Sequence, residues 1–148
     1  MMRLTRRTLF MVAPLALLAC ARSAAAATIE VVKSPYCGCC THWVDYLRAE
    51  GFEVRVVEAE DVSPTARRLG VPDDLRSCHT ASVEGYAIEG HVPAADIRRL
   101  LEQRPEAAGI AVPGMPAGSP GMEQGDRRQP FQTILFTREG RRSIFARH

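Results

Sequence analysis

The sequence predicts an α/β fold in which one sheet carries helices on both faces. Strand-like and helix-like segments follow one another in the order β-α-β-α-β-β-α, and three of the five cysteines lie between the first strand and the first helix. This order, with cysteines at that junction, is typical of a thioredoxin-like sandwich. We therefore expect a single thioredoxin-like domain over residues 28–148.

The first half of the chain supplies two predicted strands and two predicted helices. Residues 28–33 are rich in β-branched side chains and predict a strand, whereas residues 52–58 alternate apolar and charged side chains, as a half-buried strand does. Apolar side chains recur at helical spacing in residues 41–50, and a Ser-Pro pair opens a short predicted helix over residues 63–69.

The second half adds a hairpin, a helix and two further strands. Residues 80–83 and 86–89 predict strands joined by a tight Glu-Gly turn. A proline opens the predicted helix over residues 93–103, residues 131–137 predict a strand, and residues 143–146 are expected to pair with it. Residues 109–125 hold five glycines, three prolines and two methionines without a period, which predicts a long Gly/Pro/Met-rich loop.

The net charge depends on which part of the chain is counted. The whole chain carries a formal charge of +2, but four arginines lie in the first 27 residues, which contain no acid. The remainder therefore has 15 basic and 17 acidic residues, a net charge of −2. A mildly acidic domain with scattered arginines does not predict nucleic-acid binding.

Residues 1–27 predict a signal peptide. A basic start is followed by an uncharged, mostly apolar run and then by an alanine run suited to cleavage. Residues 5–10, TRRTLF, resemble a twin-arginine export signal, and an ordinary secretory signal with two adjacent arginines is the alternative. Either signal predicts an exported protein.

Cys20 introduces a second possibility for the amino terminus. Residues 17–20, LLAC, resemble a lipoprotein processing box, whose use would leave Cys20 lipidated and the protein anchored to a membrane. The favoured interpretation is that Cys20 is discarded with the signal, so that no membrane contact is expected. Four cysteines then remain.

The remaining cysteines carry the chemistry that the sequence predicts. Cys37, Cys39 and Cys40 lie within four residues at the start of a predicted helix, where free backbone N–H groups and the helix dipole stabilise thiolates. Cys37 and Cys40 also have the Cys-x-x-Cys spacing of a redox pair, and Cys39 adds a third thiol. Cys78 precedes a predicted strand. In a thioredoxin-like fold, the loop before that strand packs against this turn, so we expect Cys78 and His79 to lie close to the other three cysteines.

Thiolate and thioether ligands select Cu(I), zinc or iron–sulfur clusters. A structural zinc site usually pairs two separate Cys-x-x-Cys knuckles, whereas this chain has a single knuckle crowded by a third cysteine. Such crowding favours bridging thiolates and Cu(I), with zinc as the weaker candidate. Met115 and Met122 would supply thioethers, and His79, next to Cys78, an imidazole.

Other interpretations of the same residues stay open. Cys37 and Cys40 could serve a thiol–disulfide oxidoreductase, and they are the candidates for redox catalysis. Four cysteines in an exported domain could also form disulfides or a structural zinc site. His91 could be a ligand or a hydrogen-bonded turn residue, and His42 could support the site from the helix or face solvent.

Four ordered blocks of the sequence resemble the CopG-like copper-resistance proteins, a family with a CxCC motif. The blocks are KSPYCGCC (33–40), followed by Trp43; LRSCHT (75–80); EGHVPA (89–94); and GIAVPGMP (109–116), continued by GSPGME (118–123). The family often has another methionine soon after the position of Met122, where this chain has Glu123-Gln124-Gly125.

The resemblance implies a thioredoxin-like fold, periplasmic placement and a role in copper handling beside other periplasmic copper proteins. It also implies a copper–thiolate centre that holds several copper ions, with redox activity between Cu(I) and Cu(II) that would make the protein a copper oxidoreductase. The ligand roles that it implies fall on Cys37, Cys39, Cys40, Cys78 and His79, and with weaker support on Met115 and Met122.

Overall fold

The computed structural model describes residues 27–148. Residues 1–26 of the predicted signal, Cys20 among them, lie outside the described chain. The elements run in chain order as β1 (Thr28–Lys33), α1 (Gly38–Ala49), β2 (Glu53–Glu58), α2 (Ser63–Leu69), β3 (His79–Val83), β4 (Tyr86–Gly90), α3 (Ala94–Gln103), β5 (Gly109–Val112), β6 (Gln132–Phe136) and β7 (Arg142–Arg147). None of the helices in residues 27–148 has the length and hydrophobicity to cross a membrane.

The described strands form one seven-stranded sheet in the order β2-β1-β3-β4-β5-β6-β7. β1 is parallel to β2 and antiparallel to β3, and β3 is antiparallel to β4. These four strands, with α1 and α2 in the connections around them, form the thioredoxin-like part of the fold. The predicted α/β fold class is therefore confirmed, with β5, β6 and β7 extending the sheet beyond β4.

Helices cover both faces of this sheet, because successive side chains of a strand point to opposite faces. On one face, Trp43 of α1 and Ile97 of α3 join a core cluster with Val31 of β1. On the other face, Ala66 of α2 packs in a second cluster with Phe136 of β6. Trp43 is fully buried, and its indole N–H donates a hydrogen bond to the Val92 carbonyl at 2.9 Å, which ties α1 to the segment after β4.

The prediction that residues 109–125 form a loop throughout is wrong at its first four residues. Gly109–Val112 form β5, which pairs in parallel with β4 and antiparallel with β6. All four residues are buried, so the segment has no apolar–polar alternation to distinguish it from the turn residues that follow. A Cβ atom at Gly109 would lie 2.0 Å from the Ala87 carbonyl oxygen, which explains the glycine within a strand.

The first helix begins three residues earlier than the sequence predicts. α1 begins at Gly38 rather than at Thr41, because the polar and small residues of its first turn carry no apolar period. Cys37 is therefore the N-cap residue of α1, and Cys39 and Cys40 belong to its first turn. β6 and β7 pair as expected, with a register shift between Thr133 and Ile134.

Candidate metal centre

The N-cap and first turn of α1, in the connection that follows β1, carry three cysteines. The Cys37 Sγ atom accepts a hydrogen bond from the backbone N–H of Cys40 at 3.3 Å, as an N-cap side chain does. Cys37 and Cys40 are joined by a disulfide, and their Cα atoms lie 5.4 Å apart. Cys39 is a free thiol, as is Cys78.

Cys78 reaches this turn because β3 lies beside β1 in the sheet. His79 pairs with Lys33, so the residue before β3 lies next to the residues that follow β1. The Cys39 Sγ atom lies 3.5 Å from that of Cys37 and 3.9 Å from that of Cys78. The Sγ atoms of all four cysteines lie within 4.8 Å of one another, so these side chains could hold a metal ion.

Two histidines lie on the other side of Cys78. The Cys78 Sγ atom is 3.5 Å from Nδ1 of His79 and 3.6 Å from Nε2 of His91, which follows β4. Both imidazoles are fully buried, and the His79 ring lies between Trp43 and His91, with ring centroids 4.4 Å and 5.0 Å away. Cys78, His79 and His91 form a second group whose donor atoms lie within 4.8 Å of one another.

Backbone carbonyls fix the tautomer of each imidazole. His79 donates a hydrogen bond from Nε2 to the Gly90 carbonyl at 3.0 Å, and His91 donates from Nδ1 to the Pro120 carbonyl at 2.7 Å. A carbonyl oxygen only accepts, so the proton of each neutral ring is held on the nitrogen that faces away from Cys78. The nitrogen facing Cys78 therefore keeps its lone pair, as a metal ligand must.

Burial sets the protonation of these groups. It lowers the pKa of His79 to about 3, with a further contribution from the neighbouring His91, and it also lowers the pKa of His91. Burial raises the pKa of the Cys78 thiol to about 11, and the neighbouring Cys39 adds to that shift. Near neutral pH the imidazoles are neutral and Cys78 is protonated, so binding of a metal ion must release the thiol proton.

A buried carboxylate holds the segment that carries Cys78 and His79. Glu89 of β4 accepts a hydrogen bond from the backbone N–H of Ser77 at 2.5 Å and another from the Thr80 hydroxyl at 2.7 Å. Its two oxygens thereby hold the residues on either side of the Cys78-His79 pair. Burial raises the pKa of Glu89 to about 7 in spite of these hydrogen bonds.

The glycine- and proline-rich loop packs against the cysteine-bearing turn. A Cβ atom at Gly121 would lie 2.7 Å from the Trp43 backbone nitrogen and 3.0 Å from the Cys39 carbonyl oxygen, so the loop backbone contacts α1 directly. Met122, half-buried, follows this contact, whereas Met115 is 41% exposed. His42 faces solvent, away from the buried donors.

The donor set fits a soft metal ion. Four sulfur atoms lie close enough to share ions, and thiolates select Cu(I), zinc and iron–sulfur clusters over hard cations. The disulfide withholds two of these sulfurs, which become thiolates only after reduction. The number of available sulfur ligands therefore depends on the redox state of Cys37 and Cys40.

The structure settles the position of one residue that the sequence left open and adds one that the sequence did not single out. His91, for which two interpretations were open, lies in the site, and Glu89 supports it although the sequence showed it only as a strand residue. Both lie in the block EGHVPA at the end of β4. The indication available in the sequence was that this block ends the second strand of a predicted hairpin. Cys78 lies just before the first strand of the same hairpin.

Two solved structures are similar to this chain over most of its length. "Copper resistance protein copG- Form 2" shares 46% sequence identity, with a TM-score of 0.80, 84% of this chain covered and 99% of the other. "Copper resistance protein copG- Form 1" shares 47% identity, with a TM-score of 0.77, 82% of this chain covered and 96% of the other.

A family model described as "Protein of unknown function, DUF411" matches residues 75–122, which contain Cys78, His79 and His91. No curated protein sequence matches the chain significantly.

Proposed function

Because this chain belongs to the CopG family of copper resistance proteins, we propose that it is a periplasmic copper-binding protein of copper resistance that holds Cu(I). The observation that carries the proposal is the group of four sulfur atoms within 4.8 Å of one another. The proposed ligands are Cys37, Cys39, Cys40, Cys78 and His79, with Met115 and Met122 as thioether ligands.

The crowded sulfurs favour more than one copper ion. A thiolate can bridge two soft metal ions, and Cys39 lies between Cys37 and Cys78, at 3.5 Å and 3.9 Å from their sulfurs. When the disulfide is reduced, the site therefore offers a connected row of thiolates rather than one isolated chelate. We propose a Cu(I)–thiolate cluster in this state, with copper as the cargo of the protein.

The Cys37–Cys40 pair also supports a copper oxidoreductase activity. Two Cu(II) ions take one electron each from the two thiolates, which yields two Cu(I) ions and the Cys37–Cys40 disulfide. Both forms of this couple are compatible with the observed site, since the disulfide is present in the structure and both sulfurs join the metal-competent group. Restoration of the thiolates needs a reductant of the dithiol class.

Periplasmic placement rests on the predicted export signal of residues 1–27. A periplasmic copper protein faces copper that enters from outside the cell and can exchange it with other copper-handling proteins there. Mass spectrometry of the mature amino terminus is expected to show cleavage near Ala27, and a lipidated Cys20 would contradict the expectation that the protein has no membrane anchor.

A competition between Cu(I) and Zn(II) tests the proposal. The fully reduced protein, titrated anaerobically with Cu(I) against a chromophoric Cu(I) chelator, is expected to bind Cu(I) even in excess Zn(II). A Cys39→Ser variant should bind fewer copper ions, because the bridging sulfur is lost, whereas His42→Gln is the matched control on an exposed face of the same helix. Tighter binding of Zn(II) than of Cu(I) would overturn the proposal.

The observed disulfide favours one further candidate function, a thiol–disulfide oxidoreductase. Cys37 and Cys40 are bonded at the N-terminus of α1, which is the arrangement of that enzyme class. In this case the reduced protein should reduce a protein disulfide at the same rate with and without Cys39→Ser. A dependence of function on Cys39 favours the copper centre instead.

A further inference from the structure

One group of donors in the site does not depend on the Cys37–Cys40 pair. Cys78, His79 and His91 bring one sulfur and two nitrogen atoms within 4.8 Å of one another, and none of the three is part of the disulfide. We infer that these residues form a separate copper site of one thiolate and two imidazoles, which holds a single Cu(I) ion while Cys37 and Cys40 are oxidised. This inference rests on the proposed copper-binding function and extends it to the disulfide form.

Both nitrogen ligands are prepared for a metal ion. The Gly90 and Pro120 carbonyls hold the ring protons on the far nitrogens, so that lone pairs on Nδ1 of His79 and Nε2 of His91 face the Cys78 sulfur. A hydrogen bond from the second ring nitrogen to a backbone carbonyl is the usual support for a histidine that binds metal. A histidine pair that served only packing would not need both lone pairs to converge on one thiol.

The packing around the imidazoles also keeps the donor atoms in place. The His79 ring packs against Trp43 and is fully buried, and His91 is fully buried beneath the loop that contributes Pro120. Gly121 lies against α1 so closely that a Cβ atom there would clash, which anchors this loop to the helix. Side chains that are already ordered lose little conformational entropy when an ion binds.

The charge of the donor set favours Cu(I) in this position. One thiolate and two neutral imidazoles carry a single negative charge, which a Cu(I) ion neutralises. A Zn(II) ion with the same ligands would leave a positive charge in a buried site, where an unpaired charge is costly. Two histidines and one cysteine are also a donor set that proteins use for copper.

Oxidation of the dithiol therefore changes the capacity of the centre without emptying it. In the reduced protein the four sulfurs can share several Cu(I) ions, whereas in the disulfide form Cys37 and Cys40 have no thiolate to offer. The Cys78–His79–His91 site remains, and Cys39 stays within 3.9 Å of Cys78. Copper released from the cluster on oxidation would leave one ion held on the imidazole side.

The triple variant Cys37→Ser, Cys39→Ser, Cys40→Ser tests this site, because Cys78 is then the remaining cysteine of the described chain. Cu(I), maintained with ascorbate and titrated against a chromophoric chelator, is expected to bind at one ion per chain. Addition of His91→Gln should weaken that binding by at least about tenfold. His42→Gln in the same background should leave it unchanged.

The outcomes separate this inference from the proposed function. Binding of Cu(I) by the wild-type protein but not by the triple variant overturns the separate site and leaves the thiolate cluster intact, whereas failure of both overturns the two proposals together. Unchanged affinity in the His91→Gln background assigns His91 a structural role and overturns the inference.

A measurement without substitutions guards against misfolding of the variants. X-ray absorption at the copper edge of the wild-type disulfide form, loaded with one Cu(I), is expected to show both imidazole nitrogen and sulfur ligands. A shell of sulfur alone would overturn the inference.

Discussion

The two sides of the centre differ in what holds them. On the thiol side, Cys37, Cys39 and Cys40 lie at the N-cap and in the first turn of one helix, where a disulfide joins the sulfurs of Cys37 and Cys40. On the imidazole side, His79 and His91 are buried and are held by backbone carbonyls of other segments. Cys78 stands between the sides, 3.9 Å from Cys39 and 3.5 Å from His79.

This difference indicates that the two sides have different roles within one centre. The number of thiolates on the thiol side depends on whether the Cys37–Cys40 disulfide is reduced. The imidazole side keeps its donors because tertiary packing fixes them. The proposed copper centre would in this way alter its copper capacity with redox state and retain one binding site.

Substitution of the shared residue should have the largest effect. Cys78→Ser removes the sulfur common to both groups, so we expect the disulfide form to lose Cu(I) binding. The Cu(I) affinity of the reduced form should fall by more than roughly 100-fold, the cost of removing a supporting residue. Cys39→Ser should spare binding to the disulfide form. Chelator competition on both forms measures this, and equal losses for the two variants would contradict the division between the sides.

The next effect concerns Glu89, which holds the Cys78 segment. The carboxyl titrates near 4.5 when unfolded and near 7 when folded, so the folded protein binds more protons between these values. The free energy of unfolding should therefore fall as the pH rises through this window, by about 3 kcal/mol at about 1.4 kcal/mol per pKa unit.

Glu89→Gln removes this titration, and its amide can still accept from Ser77 and donate to the Thr80 hydroxyl. Denaturant titrations of the metal-free wild type and of Glu89→Gln at pH 5 and pH 8 measure the difference. Parallel stability curves for the two proteins would show that Glu89 is not the group responsible.

A smaller effect is expected where the loop contacts the helix. Gly121→Ala places a Cβ atom against Trp43 and Cys39 in a residue with φ of 81°, and we expect a loss of stability of about 1–3 kcal/mol. Gly114→Ala is the matched control, because its φ is 79° and nothing lies within 4 Å of the added Cβ. Thermal unfolding of both variants separates contact from backbone strain, and equal losses would show that the contact contributes nothing.

The smallest effect should come from the methionines. Met122 follows the Gly121 contact and is half-buried, whereas Met115 is exposed, so Met122→Leu is expected to lower Cu(I) affinity more than Met115→Leu. Leucine keeps the apolar volume and removes the thioether. A Cu(I) titration in which neither variant differs from the wild type would remove both sulfurs from the ligand set.

The sequence predicted the parts of the fold whose side chains repeat with a clear period. The apolar spacing of α1 and the alternation of β2 identified these elements. The sequence did not predict β5, because a fully buried strand has no alternation. The sequence also did not predict the first turn of α1, since Gly38, Cys39 and Cys40 carry no apolar stripe. In the structure, β5 is identified by its pairing with β4 and β6.

The residues of the candidate site also differ in how far the sequence predicts them. The three cysteines of α1 are neighbours in sequence, so their grouping needs no tertiary information. His91 joins Cys78 because β4 ends beside the start of β3, and Glu89 becomes a support only when its carboxylate is buried against Ser77 and Thr80. Such partners depend on pairing across the sheet, which one sequence indicates weakly.

The most direct test of the account is the copper-edge X-ray absorption spectrum of the fully reduced protein loaded with Cu(I). A shell dominated by sulfur is expected, with a minor nitrogen contribution that disappears in the double variant His79→Gln, His91→Gln. A shell dominated by nitrogen or oxygen, unchanged by loss of Cys78, would contradict copper binding at this centre.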